Sequence, residues 1–324
     1  MRAYNVPVFI PHEGCPHDCV FCNQRKITGA DTSMTPYAAA GLIGEQLDRL
    51  PTGEKRIEAA FFGGSFTGLP LELQKRFYDA ANQYRGRIQG IRLSTRPDYI
   101  TPEVLKLAAD SGVTMIELGA QSADDTVLAQ NGRGHTFAQT CAAAEQIRAA
   151  GIGLGLQMMT GMFGSDPETD VKTAEALAGL EPDCARIYPT LVLRDTALAA
   201  LYQQGRYCPQ SLESAIETAK AALVRFRRRG IPVIRLGLHA GEDLREPGTV
   251  IAGPFHPAFG ELVESRIWRD RIESQTACAG QADGTFEIQV PRGELSKAVG
   301  HKRCNRRYFQ QKYGIEVKYI EQDI

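Results

Sequence analysis

The sequence predicts an α/β protein, an open (β/α)6 partial TIM-like barrel followed by a small C-terminal α+β appendage, and three observations predict it. Apolar segments of strand length alternate with helical segments of about a dozen residues from Val6 to Val192, a pattern that implies parallel strands joined by right-handed crossovers. There are six such units rather than eight, so the barrel is expected to stay open. Within the strands polar and apolar residues alternate, which gathers polar groups inside, toward the strand carboxyl ends where barrel enzymes keep their sites. Composition allows this: 324 residues, 43% hydrophobic and 23% charged, make an ordinary globule with ample core, as one large domain with an appendage or as two.

Val6 to Ile10 reads as the first strand. Thr35-Pro36 opens a helix running to Leu50, with threonine as cap and proline in the first turn. Arg56 to Phe62 is the second strand and ends in Gly63-Gly64-Ser65; a helix follows from Pro70 to Arg85. Ile88 to Thr95 is the third strand, and Thr101-Pro102-Glu103 caps the next helix. Val113 to Leu118, Gly153 to Thr160 and Ala185 to Val192 complete the six, separated by helices at Ala138 to Ala150 and Pro167 to Leu180. Alternation places Arg92, Ser94 and Arg96 on one face of the third strand, opposite Ile91 and Leu93. It sets Glu117, Gly119 and Gln121 inward on the fourth, Gly155, Gln157 and Met159 on the fifth, and Arg186, Tyr188 and Thr190 on the sixth. Helices at Ala197 to Gly205 and Leu212 to Arg229 lead to a strand at Pro232 to Leu238 that extends the sheet. Residues 239–284 read as a Gly- and Pro-rich loop and a helix, Gly260 to Ile272, covering the barrel mouth.

Net charge is −1, so the whole molecule exerts no long-range pull on nucleic acid and any such attraction is local. No leader or membrane-spanning stretch is legible, and the expected location is the cytoplasm. In a reducing compartment eight cysteines read as metal ligands or free thiols before disulfides. Cys141, Cys184, Cys208, Cys278 and Cys304 are scattered, whereas Cys15, Cys19 and Cys22 cluster in Cys15-Pro-His-Asp-Cys19-Val-Phe-Cys22 straight after the first strand. Three thiolates from one loop leave one iron of a [4Fe-4S] cluster without a protein ligand. The same cysteines also suit a zinc site that recruits His12 or His17, or a disulfide in an oxidising compartment.

The Cx3CxPhe-C pattern resembles the radical S-adenosylmethionine superfamily. His12-Glu-Gly-Cys15, Phe61-Phe-Gly-Gly-Ser-Phe-Thr67, Ser94-Thr-Arg-Pro-Asp-Tyr99, Glu117-Leu-Gly-Ala-Gln-Ser122 and Arg133-Gly-His135 look like the radical domain of Elongator's catalytic subunit. Arg186-Ile-Tyr-Pro-Thr190 and Gly253-Pro-Phe-His-Pro-Ala-Phe-Gly260 are similar to stand-alone Elongator-like proteins. The resemblance implies a partial barrel in residues 1–238 and a cluster held by Cys15, Cys19 and Cys22. S-adenosylmethionine takes the fourth iron, and an electron from a flavodoxin- or ferredoxin-like donor cleaves it to methionine and a 5′-deoxyadenosyl radical. It further implies that Phe21 lies near adenine, that backbone at Gly63, Gly64 and Ser65 receives the ammonium group, and that Ser94 and Arg96 contact ribose and carboxylate. Glu117, Gln121 and Gln157 become candidates for ribose, adenosine or substrate, and Arg186 and Tyr188 for carboxylate or substrate. Each of these inward polar residues is equally served by hydrogen-bonding a loop. No Gly-rich acetyl-coenzyme A loop follows the barrel, so the expected reaction draws on another co-substrate, a partner protein or S-adenosylmethionine alone.

Residues 285–324 form a separate basic module that resembles a KH-type βαβ piece: Phe286 to Val290 and Ile315 to Ile320 alternate like strands around a helix interrupted near Gly300. From Pro291 onward eight Lys or Arg face four acids. Lys297, Lys302, Arg303, Arg306 and Arg307 are the nucleic-acid candidates, with Gly300-His-Lys-Arg303 at the Gly-x-x-Gly position but lacking its second glycine. A packing or dimerising appendage is the other reading. The sequence therefore points to a radical enzyme acting on RNA, tRNA above all. The rivals are a small-molecule radical enzyme similar to coproporphyrinogen dehydrogenase and a non-catalytic iron–sulfur RNA-binding protein.

Overall fold

A computed structural model describes residues 2–10, 15, 19–23, 34–51, 53, 55–238, 244, 246–279 and 284–322. In chain order the elements are β1 (Arg2–Ile10), α1 (Pro36–Arg49), β2 (Lys55–Gly63), α2 (Leu71–Asn82), β3 (Gly90–Thr95), α3 (Pro102–Asp110), β4 (Val113–Gln121), α4 (Asp125–Gln130), α5 (Phe137–Ala149), β5 (Gly153–Thr160) and α6 (Pro167–Gly179). They continue with β6 (Cys184–Pro189), β7 (Val192–Leu193), α7 (Ala197–Gln203), α8 (Leu212–Arg228), β8 (Val233–Leu236), β9 (Val250–Ala252), α9 (Phe259–Ala279), β10 (Thr285–Pro291), α10 (Leu295–Val299), α11 (Cys304–Tyr313) and β11 (Glu316–Gln322).

The main sheet is parallel, seven strands in the order β1-β2-β3-β4-β5-β6-β8, so the strand after α8 does extend the half-barrel. Side-chain caps start the helices where the sequence places them. Thr35, Thr101 and Asp166 each accept an N–H from the first turn of a helix that begins with proline, and Thr136 with Gln139 forms a capping box on α5. The outer faces of the strands carry Leu93, Ile116, Leu118, Leu154, Leu156, Met158 and Ile187 into one core with Ile43, Phe77, Ile147, Leu177 and Phe226 of the helices. That packing obliges the intervening residues to face the barrel interior.

The C-terminal third differs from expectation in two respects. Helix α9 runs on to Ala279, past its expected end at Ile272. It does not lie over the barrel mouth but alongside α8, joined by Arg227–Glu264, Lys220–Asp270 and the pairing of Arg266 with Glu213 and Glu217. These are contacts between elements far apart in sequence, invisible to periodicity. The tail is a βαβ piece with parallel β10 and β11, and its core of Ile288, Val290, Ala298, Phe309 and Val317 is closed by Trp268 and Ile272 of α9.

Candidate functional site

The cysteine segment sits at the carboxyl end of the strands and is tied to the barrel by backbone. Cys22 N–H donates to the Cys19 carbonyl at 2.9 Å, making a turn, and Val20 donates to Asn131 O at 3.2 Å while accepting from Leu198 N at 2.7 Å. The Asn23 amide reaches Arg194 O at 3.3 Å. Phe21, half-buried, packs between Val127, Met159 and Met162 on one side and Val192, Leu198 and Tyr207 on the other. Its ring anchors this turn whatever it does for a nucleoside.

Cys19 is 8% exposed and its sulfur faces two guanidinium groups: Arg133 Nη1 donates to Sγ at 3.2 Å and Arg96 Nη1 stands at 4.0 Å. Burial pushes the Cys15 thiol up, as does neighbouring Cys19, against the Ser65 backbone N–H and the charges of Arg96 and Arg133. Among the described residues no three His, Cys, Asp or Glu side chains stand together as a preformed metal-binding group. The donor set nonetheless fits an anionic thiolate centre: two buried cations and a backbone N–H are aimed at sulfur. His12 and His17, and the His12-Glu-Gly part of the motif, lie outside the described residues.

Gly63 holds φ +115° and a Cβ there would meet Ile10 O at 2.7 Å, while Gly64 N–H donates to that carbonyl at 2.8 Å. Glycine is thus required where the end of β2 closes on the end of β1. Ser65 points away from open space: its hydroxyl lies 2.8 Å from Thr95 Oγ1, which also lies 2.6 Å from Thr67 Oγ1. Arg96 is buried with its fork engaged, Nε and Nη2 donating to the two Asp98 oxygens at 2.9 Å and Nη2 also to Arg133 O. The carboxylate fork expected of Arg96 is met in this structure by Asp98.

At the end of β4 the register is irregular between Gly119 and Gln121, and Gln121 has a φ of +65°. Arg133 Nη2 donates to Gly119 O at 2.7 Å, and His135 Nε2 lies 3.3 Å from Ala120 O. Burial, then Arg133 and Arg96, bring the His135 pKa down to about 4, so the ring is neutral. Gln121 Oε1, Arg133 Nε and His135 Nδ1 are all buried without a hydrogen-bond partner among the described residues. Three orphaned polar atoms in one stretch beside the thiols suit a polar ligand.

Deeper in the barrel Glu117 is the hub of an ion-pair network. Arg92 Nη1 donates to its Oε1 at 2.8 Å, and Arg186 holds it through Nε and, at 3.0 Å, Nη2. Arg92 also pairs with Glu58 at 2.9 Å, and Arg186 reaches Tyr188 Oη at 3.4 Å and lies over the Phe62 ring at 5.2 Å. A Cβ on Gly155 would meet Glu117 Cγ at 2.8 Å and Cys184 Sγ at 3.2 Å, so glycine opens the path from Glu117 on β4 to Arg186 on β6. Glu117 was expected as a nucleoside or substrate ligand; here both its oxygens serve arginines. Ser94 lies beside it in register, and Gln157 lies between Gly119 and Arg186 across the sheet. The sequence by itself assigns no individual role to Arg133, His135, Arg92, Glu58 or Asp98. The Arg133-Gly-His135 motif and the inward position of Arg92 were the available signals.

On the tail, Lys297 pairs with Glu294 and Arg306 with Glu316, whereas Lys302, Arg303 and Arg307 are exposed and make no ion pair among the described residues. Lys302 and Arg303 are left-handed, φ +50° and +60°. The His301 ring meets His256 edge-on at 5.2 Å, which brings this basic turn against the segment ahead of α9.

A parallel half-barrel with three thiols at its carboxyl rim defines a class, and comparison with known proteins names it. Residues 9–177 match the Radical SAM superfamily and residues 182–269 the Radical SAM C-terminal domain. The chain belongs to the Radical SAM superfamily, enzymes that use a [4Fe-4S] cluster and S-adenosylmethionine. It is 29% identical to the tRNA uridine(34) acetyltransferase of Methanocaldococcus jannaschii, over 98% of this chain and 65% of that one. It is 28% identical to Elongator complex protein 3 of Saccharomyces cerevisiae, over 64% of this chain and 45% of that one. The chain thus spans between about half and two thirds of the length of these relatives. Among solved structures, the archaeal Methanocaldococcus infernus Elp3 lacking its N-terminus superposes with a TM-score of 0.64 at 24% identity, over 83% of this chain and 63% of that one. Coproporphyrinogen III oxidase of Escherichia coli gives 0.50 at 18% identity, over 71% and 52%. Among the described residues no helix is long and apolar enough to cross a membrane.

Proposed function

We propose that this chain is a radical enzyme that modifies a tRNA base. Cys15, Cys19 and Cys22 would hold the [4Fe-4S] cluster, which supplies the electron that cleaves bound S-adenosylmethionine to methionine and a 5′-deoxyadenosyl radical. The observation that carries this reading is the buried Cys19 sulfur beneath Arg133 and Arg96, next to three unpartnered polar atoms. The chain's own residues do the positioning. The closed Gly63-Gly64 turn presents backbone at the rim, Gln121 and His135 offer polar atoms to a ligand, and Phe21 presses the turn that carries Cys19 and Cys22 onto the barrel. The likeness to tRNA-modifying relatives supports an RNA substrate.

The tail would contact RNA phosphate through Lys302, Arg303 and Arg307, which make no ion pair among the described residues, with Lys297 and Arg306 held by their own acids. The test is anaerobic reconstitution with iron and sulfide, reduction, and assay of 5′-deoxyadenosine with and without bulk tRNA. Formation stimulated by tRNA is the expected result. Formation indifferent to tRNA would move the substrate to small molecules or proteins, and no formation would refute the radical reading. Replacing the three tail cations by alanine should reduce the salt slope of tRNA binding by about 2 to 3, as three lost phosphate contacts require.

A further inference from the structure

Arg133 has no part in the reading above beyond its place near the thiols, yet its situation is unusual. It is 6% exposed, and among the described residues no carboxylate pairs with it. Burying a guanidinium is costly unless an anion meets it, and among the described residues the group that Arg133 Nη1 meets is the Cys19 sulfur, an anion when deprotonated. Arg96, equally close to the rim, is neutralised by the two-pronged contact with Asp98 and stands 4.0 Å from the Cys19 sulfur. Arg133 is held by Gly119 O at 2.7 Å on Nη2 and spends Nη1 on that sulfur at 3.2 Å. The carbonyl fixes the fork, the fork points at the sulfur, and the charge is left for it.

We propose that Arg133 is a positioning residue that donates to the Cys19 thiolate and sets the reduction potential of the cluster. The inference rests on Cys19 being a cluster ligand. Hydrogen bonds to ligand sulfurs and nearby positive charge stabilise the more negative, reduced state and so raise the potential. In the step concerned one electron would pass from a flavodoxin- or ferredoxin-class donor to the cluster; no bond would form or break, and Arg133 would meet the added negative charge with a guanidinium already in place. The neutralised Arg96 contributes much less of this field, so removal of Arg133 alone should be felt.

The experiment is a redox titration of the full-length, anaerobically reconstituted protein without S-adenosylmethionine, followed by electron paramagnetic resonance, for wild type, Arg133→Met and Arg133→Lys. Iron and sulfide content and circular dichroism are measured on the same samples. The expected result is a shift to more negative potential in Arg133→Met and a smaller shift in the same direction in Arg133→Lys, which keeps the charge but not the fork. Failure of Arg133→Met to load a cluster while Arg133→Lys loads one at a lowered potential supports the proposal as well. Equal loading with unchanged potential in Arg133→Met overturns it. Loss of loading in both variants, with the fold retained, also overturns it, because Arg133 would then be needed for assembly and not for tuning. If wild-type protein binds no iron and sulfide, the functional reading itself fails and this inference falls with it.

Discussion

Replacing Glu117 by alanine should destabilise the barrel and leave ligand affinity largely unchanged. The side chain is 2% exposed and accepts from Arg92 at 2.8 Å and from Arg186 at 3.0 Å and through a second contact. Glu58 and Glu117 balance Arg92 and Arg186, so removing one carboxylate leaves a net positive charge in the interior, together with a cavity. Breaking a buried pair by removing one partner costs about 3–5 kcal/mol. With an unfolding entropy of about 2.1 cal/mol/K per residue over 324 residues, that loss lowers the midpoint by about 4–7 °C. Glu117→Gln should cost less, because it keeps one acceptor oxygen, but its amide then faces a guanidinium. Urea unfolding and thermal melts read both variants. If Glu117→Ala melts within a degree of wild type and instead loses affinity for S-adenosylmethionine, the buried-charge reasoning is wrong and Glu117 is a ligand.

Two further outcomes follow from single contacts. Gly155→Ala puts a methyl 2.8 Å from Glu117 Cγ and should cost about 1–3 kcal/mol in urea unfolding, a cost that largely disappears when Glu117 is alanine as well; equal costs in both backgrounds would contradict the packing argument. Burial pushes Asp170 up to about 6 from 3.8, although Ser165 Oγ and Gly161 N–H both donate to it. The folded protein therefore holds this proton more tightly than the unfolded chain, so the contribution is full below about pH 4 and is lost as pH rises to about 6, about 3 kcal/mol in all. The stability difference between wild type and Asp170→Asn should change across that window, and a flat difference would reject the assignment.

The half-barrel was legible because its determinants are local: strand-length apolar runs, proline and threonine at helix starts, and alternation that correctly turned Glu117 and Arg92 away from the helices. What alternation does not carry is lateral register. Glu117 meets Arg186 two strands away only because Gly155 lies between them, and Arg92 meets Glu117 from the other side. Side-chain destination was harder still for Arg96, whose fork is taken by a residue only two positions on. Along the tail the excess of positive charge was countable from the sequence, but which cations are paired was not; Glu294 and Glu316 remove two of the five candidates.

The distribution of pairing divides the barrel interior into a floor and a rim. At the floor, Glu58 and Glu117 match Arg92 and Arg186, and Arg186 further covers Phe62. At the rim, Asp98 cancels Arg96, but among the described residues Arg133 has no acid, Gln121 Oε1 has no donor and the neutral His135 has Nδ1 unpaired. Folding energy alone favours the first arrangement and opposes the second, since unsatisfied buried polar groups each cost about 1–3 kcal/mol. Part of that cost falls on the side of the barrel where the cysteines enter, at Gln121, Arg133 and His135. A ligand bearing polar groups would relieve it there, whereas at the floor both Glu117 oxygens already accept from arginines.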